Sequence, residues 1–99
     1  MNSPVRAQLF GVPSLEHDGQ SWALPFERRT QLLALLALKR GWAGRAEVAA
    51  LLWPDQDTKL AYTNLRKTLF RLPSLPWGRF VQTQGGALRF EGENRDSAA

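Results

Sequence analysis

The chain has 99 residues, a formal net charge of +4, a sequence pI near 10.4 and 43% hydrophobic residues. That length suits one domain with a modest core, and that apolar fraction excludes wholesale disorder. Without cysteine there are no disulfides or thiolate metal sites, and the longest apolar run, Leu32 to Leu38, falls far short of the ~20 residues of a membrane-spanning helix.

The opening Met1-Asn2-Ser3-Pro4 carries no basic region followed by an apolar stretch, so no secretory leader is expected. Val5 to Phe10 reads as a strand, with β-formers at both ends. Ser14 to His17 follows as a second. Asp18-Gly19 then makes a tight turn into Gln20 to Leu24, with Leu15, Trp22 and Leu24 as apolar pegs. The chain thus begins with a small antiparallel sheet. Pro25 is tolerated at a first helical position, and Glu27 complements a positive helix start. Arg28 to Arg40, rich in Leu and Ala, predicts the first helix. Leu32, Leu35, Leu36 and Lys39 keep helical spacing, and Gly41 is the expected stop. After the turn Gly41 to Gly44, a short second helix fits Arg45 to Trp53, with Val48, Leu51 and Leu52 on one side and Pro54 closing it. Asp57 is a natural N-cap for a third helix from about Thr58 to Leu72, stopped by Pro73. Phe80 to Thr83 and Leu88 to Phe90 flank Gln84-Gly85-Gly86-Ala87 as a hairpin. The polar residues from Glu91 onward are expected to fray. This order predicts an α+β chain built as a winged helix-turn-helix: a small N-terminal antiparallel sheet, three helices and a C-terminal β-hairpin wing. Its domain spans residues 1–92, and a flexible tail spans 93–99.

The positive balance favours an anionic partner, and the third helix is where it concentrates. On a wheel of about 100° per residue, Ala61, Leu65, Thr68, Leu69 and Leu72 share one side and are expected to dock onto the first two helices. The opposite side carries Lys59, Thr63, Arg66, Lys67 and Phe70, with Asn64 and Arg71 on the flank. From Thr58 to Leu72 there are four Lys or Arg and no Asp or Glu. A solvated helix usually mixes both signs and gains i,i+4 pairs. One sign alone suits a helix that lies along a polyanion. The major groove of B-DNA admits one helix, and Arg, Lys and Asn fork onto base edges there. Lys59, Thr63 and Arg66 are therefore expected at or near base edges, and Asn64, Lys67 and Arg71 on phosphates. In the wing, Gln84, Gly85 and Gly86 should approach the DNA backbone, with Arg89 as a charge contact. Phe70 is expected to pack under the Pro73 to Trp77 link or the hairpin; its other reading is a contact to a thymine methyl.

Catalytic chemistry finds no support in these residues, and no catalytic residue, metal ligand or cofactor is expected. His17 is the only histidine and sits beside a turn, where a solvent-facing ring is the expectation. Gly85-Gly86 lacks the Lys-Ser/Thr of a phosphate-binding loop. No carboxylate pair has a spacing for shared acid–base work, and no nucleophile has a visible activating base. The competing reading is a winged helix that binds an acidic protein partner. An apolar third-helix face would favour it.

Four stretches together resemble a known family: Val5 to Leu24 leading into Leu32 to Leu38, Leu51-Leu52-Trp53-Pro54-Asp55, Asn64-Leu65-Arg66-Lys67-Thr68-Leu69, and Val81-Gln82-Thr83-Gln84-Gly85-Gly86. In this order they are similar to the OmpR/PhoB-like winged-helix domain of SARP-type bacterial transcription activators. The resemblance implies a cytoplasmic, nucleoid-associated regulator whose recognition helix enters the major groove of double-stranded DNA. It implies a wing on the adjacent backbone or minor groove, homodimeric binding to direct repeats, and a contact between the Trp53–Asp57 loop and RNA polymerase. The chain departs from the family's wing at Gln84, where Arg is common, and at Ala87 and Leu88, which replace a third glycine and a tyrosine. The family's all-helical activator domain is not among these residues.

Overall fold

The structure, a computed structural model, describes residues 5–9, 11–25 and 27–94. Phe10, the expected end of the first strand, and residues 95–99 of the expected tail lie outside them. The elements run β1 (Arg6–Gln8), β2 (Ser14–His17), β3 (Gln20–Ala23), α1 (Arg28–Lys39), β4 (Ala43–Gly44), α2 (Arg45–Leu52), α3 (Thr58–Arg71), β5 (Val81–Gln84), β6 (Ala87–Phe90) and β7 (Glu93–Asn94). Two 3₁₀ turns, Leu72–Ser74 and Gly78–Phe80, link α3 to β5. Among the described residues the fold is α+β with the winged-helix layout: three helices, two small sheets and a C-terminal hairpin.

The first sheet has the order β3-β2-β1-β7. His17 pairs with Gln20 across Asp18-Gly19, whose φ values of 49° and 77° are those of the two-residue hairpin turn that suits strand twist. Leu15 is fully buried from β2 and Ala7 from β1. The fourth strand corrects the reading of the tail. Glu93–Asn94 pairs parallel to β1, with the Glu93 amide donating to the Val5 carbonyl at 2.8 Å. Polar residues hid this pairing because it is made by the backbone.

Helix α1 supplies the centre of the core through Leu32, Leu33, Leu36 and Ala37. Its start lies later than Pro25 suggested. Glu27 is the N-cap residue, with no side-chain capping bond, and its Oε1 pairs with Arg29 Nη2 at 2.8 Å. Its stop comes one residue earlier than expected: Arg40 is the C-cap, in the left-handed conformation at φ 55°, and Gly41 follows at φ 131°. Helix α2 buries Val48, Ala49 and Leu52, whereas Leu51 is 57% exposed. On the wheel Leu51 lies about 100° from Leu52 and faces away from the Val48–Leu52 stripe. The turn before α2 holds β4, which pairs antiparallel with β6 through Ala43↔Leu88 and Gly44↔Ala87. The wing is thus a three-stranded sheet, β4-β6-β5.

Between the 3₁₀ turns the chain doubles back tightly. A Cβ on Gly78 would lie 1.8 Å from the Leu72 carbonyl oxygen, so only glycine fits. Phe80, expected in the first wing strand, belongs to the second turn and is buried. Its ring meets His17 edge-on, with centroids 4.9 Å apart. The His17 side chain is therefore only 16% exposed, contrary to the solvent-facing expectation, and joins the first sheet to the base of the wing.

Helix α3 docks through Ala61 and Leu65, and Leu72 is buried just beyond its end; Leu69 is only half-buried. Replacing Leu65 by Ala is expected to lower unfolding free energy by roughly 2–5 kcal/mol, measured by urea denaturation. Leu69→Ala should cost distinctly less. Equal losses, or a loss at Leu65 below about 1 kcal/mol, would show that α3 is seated on a different face.

Candidate nucleic-acid interface

Helix α3 is fixed at its start by Asp57, whose Oδ1 accepts from the Leu60 amide at 2.8 Å. The cap satisfies one of the free amides of the first turn. The helix begins one residue after the cap, as its sequence predicts.

The outward side of α3 is ordered into a stripe. Lys59, Thr63, Arg66 and Phe70 follow each other at spacings of 4, 3 and 4, which keeps them within about 60° on the wheel. Lys59, Arg66 and Phe70 are exposed and Thr63 is half-buried. Lys67 and Arg71, also exposed, lie to one side, with Asn64 half-buried beyond them. The Thr63 hydroxyl donates to the Lys59 carbonyl at 3.0 Å, which leaves its oxygen free to accept from a ligand. Asn64 is engaged: its Nδ2 donates to Gln56 Oε1 at 2.6 Å, and its backbone carbonyl accepts from the Thr68 hydroxyl at 2.9 Å. Asn64 thus fastens the loop before α3 to the helix.

The electrostatics of this face are one-sided. Among the described residues no carboxylate pairs with Lys59, Arg66, Lys67 or Arg71. The ion pairs lie elsewhere: Arg6 with Glu93 at 3.7 Å, Arg29 with Glu27, Lys39 with Glu47 and His17 with Asp18. Phe70 corrects the sequence reading. It does not pack under the link that follows the helix but stands 86% exposed in a groove whose other walls are Arg66, Lys67 and Arg71.

Two groups that sequence reasoning missed extend the face. Arg45, at the start of α2, lines a groove with Lys59, Tyr62, Thr63, Leu65 and Arg66. Its buried Nε has no hydrogen-bond partner. On the other flank, Arg28 from α1 shares a groove with Asn64, Lys67, Thr68 and Arg71 beside Trp53, and the Arg29–Glu27 ion pair lines the same groove. The Arg28 guanidinium lies 5.9 Å from the centroid of the Trp53 ring, and that half-buried ring packs against the core. The signal in the sequence was present but unread: Arg28 and Arg45 each open a helix, where a cation opposes the helix dipole and invites an explanation.

The wing residues are placed together. Gln84, Gly85 and Gly86 are exposed at the hairpin tip, where Gly85 takes φ 59°. The Arg45 amide donates to the Gly86 carbonyl at 2.9 Å, so the tip is joined to the same residue that lines the α3 groove. Arg89 is separated from this tip and half-buried. Its Nε donates to Gln82 Oε1 at 2.6 Å, its guanidinium covers the Trp42 ring at 4.9 Å, and Gln82 Nε2 donates to Glu91 at 2.9 Å. Arg89 thus stiffens the hairpin while its remaining guanidinium hydrogens stay available. Asp57→Ala is expected to cost about 1 kcal/mol of stability, read by thermal or urea unfolding. An unchanged midpoint would show that the cap contributes nothing to holding α3.

No protein-family model matches the chain, and no curated protein matches it. No described helix is long and apolar enough to cross a membrane.

Proposed function

We propose that the chain is the DNA-reading domain of a bacterial transcription regulator and binds double-stranded DNA in a sequence-specific way. One observation carries this reading: four cations on α3 face outward with no carboxylate partner among the described residues, while acidic groups are paired elsewhere. A helix pays for such an arrangement in lost i,i+4 pairs, and Lys67 and Arg71 form a like-charged one. Phosphates on either wall of a major groove would supply the missing counter-charge. Arg66, Lys59 and Thr63 would face base edges, and Lys67, Arg71 and Arg45 the phosphates. Gln84, Gly85 and Gly86 would lie against the neighbouring backbone. Asn64 would act mainly by fixing the loop. On this reading the chain is a binder and not a catalyst.

The resemblance to SARP-type activators supports the same reading and extends it to a homodimer on direct repeats. On the same reading the Trp53–Asp57 loop, exposed from Pro54 to Asp57, would contact RNA polymerase. The exposed apolar side chains on α3 are Leu60, Tyr62 and Phe70. They are about 12–15 Å apart along the axis between Phe70 and the other two, so they form no single apolar patch of the kind a protein-docking helix needs.

The test is selection of bound duplexes from a random pool, followed by affinity measurement. Neutralising about five phosphates should give a slope of log K against log salt of about −4 to −5. Arg66→Ala should weaken the selected duplex by roughly 1–3 kcal/mol while leaving random duplex nearly unchanged. An equal loss on both would reduce Arg66 to a phosphate clamp. No retention of any duplex at low ionic strength would overturn the reading.

A further inference from the structure

Phe70 ends the cationic stripe of α3, flanked by Arg66, Lys67 and Arg71, and is 86% exposed. Burying this ring would remove a large apolar area from water, and the fold does not bury it. Its immediate neighbours are Arg66, Lys67 and Arg71, whose charges suit an anionic occupant. An occupant for this groove must therefore offer negative charge around its edge and an apolar spot at its middle. The major groove of DNA does so where a thymine stands: phosphates line the walls, and the C5-methyl projects between them. Phe70 also shares the angular position of Lys59, Thr63 and Arg66, and it lies about 6 Å further along the axis than Arg66. A helix laid with Arg66 over a base edge therefore carries the ring along the same groove.

Resting on the DNA reading above, we propose that Phe70 is a specificity-determining residue that selects thymine by packing against its 5-methyl group. The occupant is then a T·A pair next to the pair faced by Arg66. One methyl covered by the ring corresponds to roughly four-fold in affinity. Because the ring is exposed and is not part of the hydrophobic core cluster, its removal should leave the fold intact.

The experiment is a uracil scan on the best selected duplex. Each thymine is replaced in turn by uracil, which keeps every hydrogen-bonding edge and removes only the methyl. Dissociation constants are measured for the full chain and for Phe70→Ala, with thermal unfolding to compare their stability. The expected result is a loss of about four-fold at one thymine per bound site for the unaltered chain. That position should become indifferent to uracil in Phe70→Ala, and Phe70→Leu should retain part of the preference. A duplex that binds but shows a flat scan overturns the thymine contact and leaves the DNA reading standing. The same holds if Phe70→Ala keeps the full uracil sensitivity. If Phe70→Ala leaves DNA affinity unaltered but abolishes self-association seen by sedimentation, the ring belongs to a protein interface and the proposal fails. If no duplex binds the unaltered chain, both readings fall together.

Discussion

The seating of Leu65 governs how everything else in this chain is displayed. That side chain is 1% exposed, and with Ala61 it sets the rotation of α3 about its own axis. A helix anchored by so few apolar positions has little choice about what it turns outward. Once Leu65 faces the core, Lys59, Thr63, Arg66 and Phe70 must face away from it. The cationic stripe is therefore a consequence of core packing, and its lack of acidic neighbours is the feature that packing does not dictate. Asp57 and the Asn64–Gln56 bond hold the helix at the end where Lys59 begins the stripe.

The two sheets stabilise the surroundings by different means. The first is closed by backbone pairing of both ends of the described chain, through β1 and β7, reinforced by the ion pair of Arg6 with Glu93. The wing sheet is stiffened by side chains: Trp42, Arg89, Gln82 and Glu91 lie in sequence across it. Cation–π stacking and charge-assisted hydrogen bonds on a half-exposed sheet are individually modest. Across a short hairpin they limit how far the tip can swing. His17 against Phe80 then ties the wing's base to the first sheet, so a residue that reads like a surface turn histidine serves as a joint.

Elements with strong local signals were legible from the amino acids: the Asp18-Gly19 turn, the Leu-rich α1, the Asp57 cap, the buried and exposed sides of α3, and the Gly85-Gly86 hairpin. What was not legible depends on distant partners. β4 is Ala43-Gly44, two residues without β propensity, and exists because β6 lies beside it. β7 is polar and exists because β1 offers a free edge. Leu51 looks apolar enough for a core yet sits on the wrong side of a two-turn helix. Phe70 inverts the usual inference, since hydrophobicity alone argued for burial. The same holds in the candidate interface: the α3 residues follow from periodicity, whereas Arg45 and Arg28 join them only because the starts of α2 and α1 lie against opposite flanks of α3.

The bond from the Arg45 amide to the Gly86 carbonyl has a separate implication for how such a surface can diversify. It is made by main-chain atoms, so almost any side chain can be exchanged at either position without breaking it; only proline at position 45, lacking the hydrogen, would. The offset between hairpin tip and helix groove is thus insulated from mutation, while the letters displayed on α3 are free to drift. A lineage carrying this frame can rewrite what it recognises one side chain at a time, with the ruler that sets the spacing left untouched.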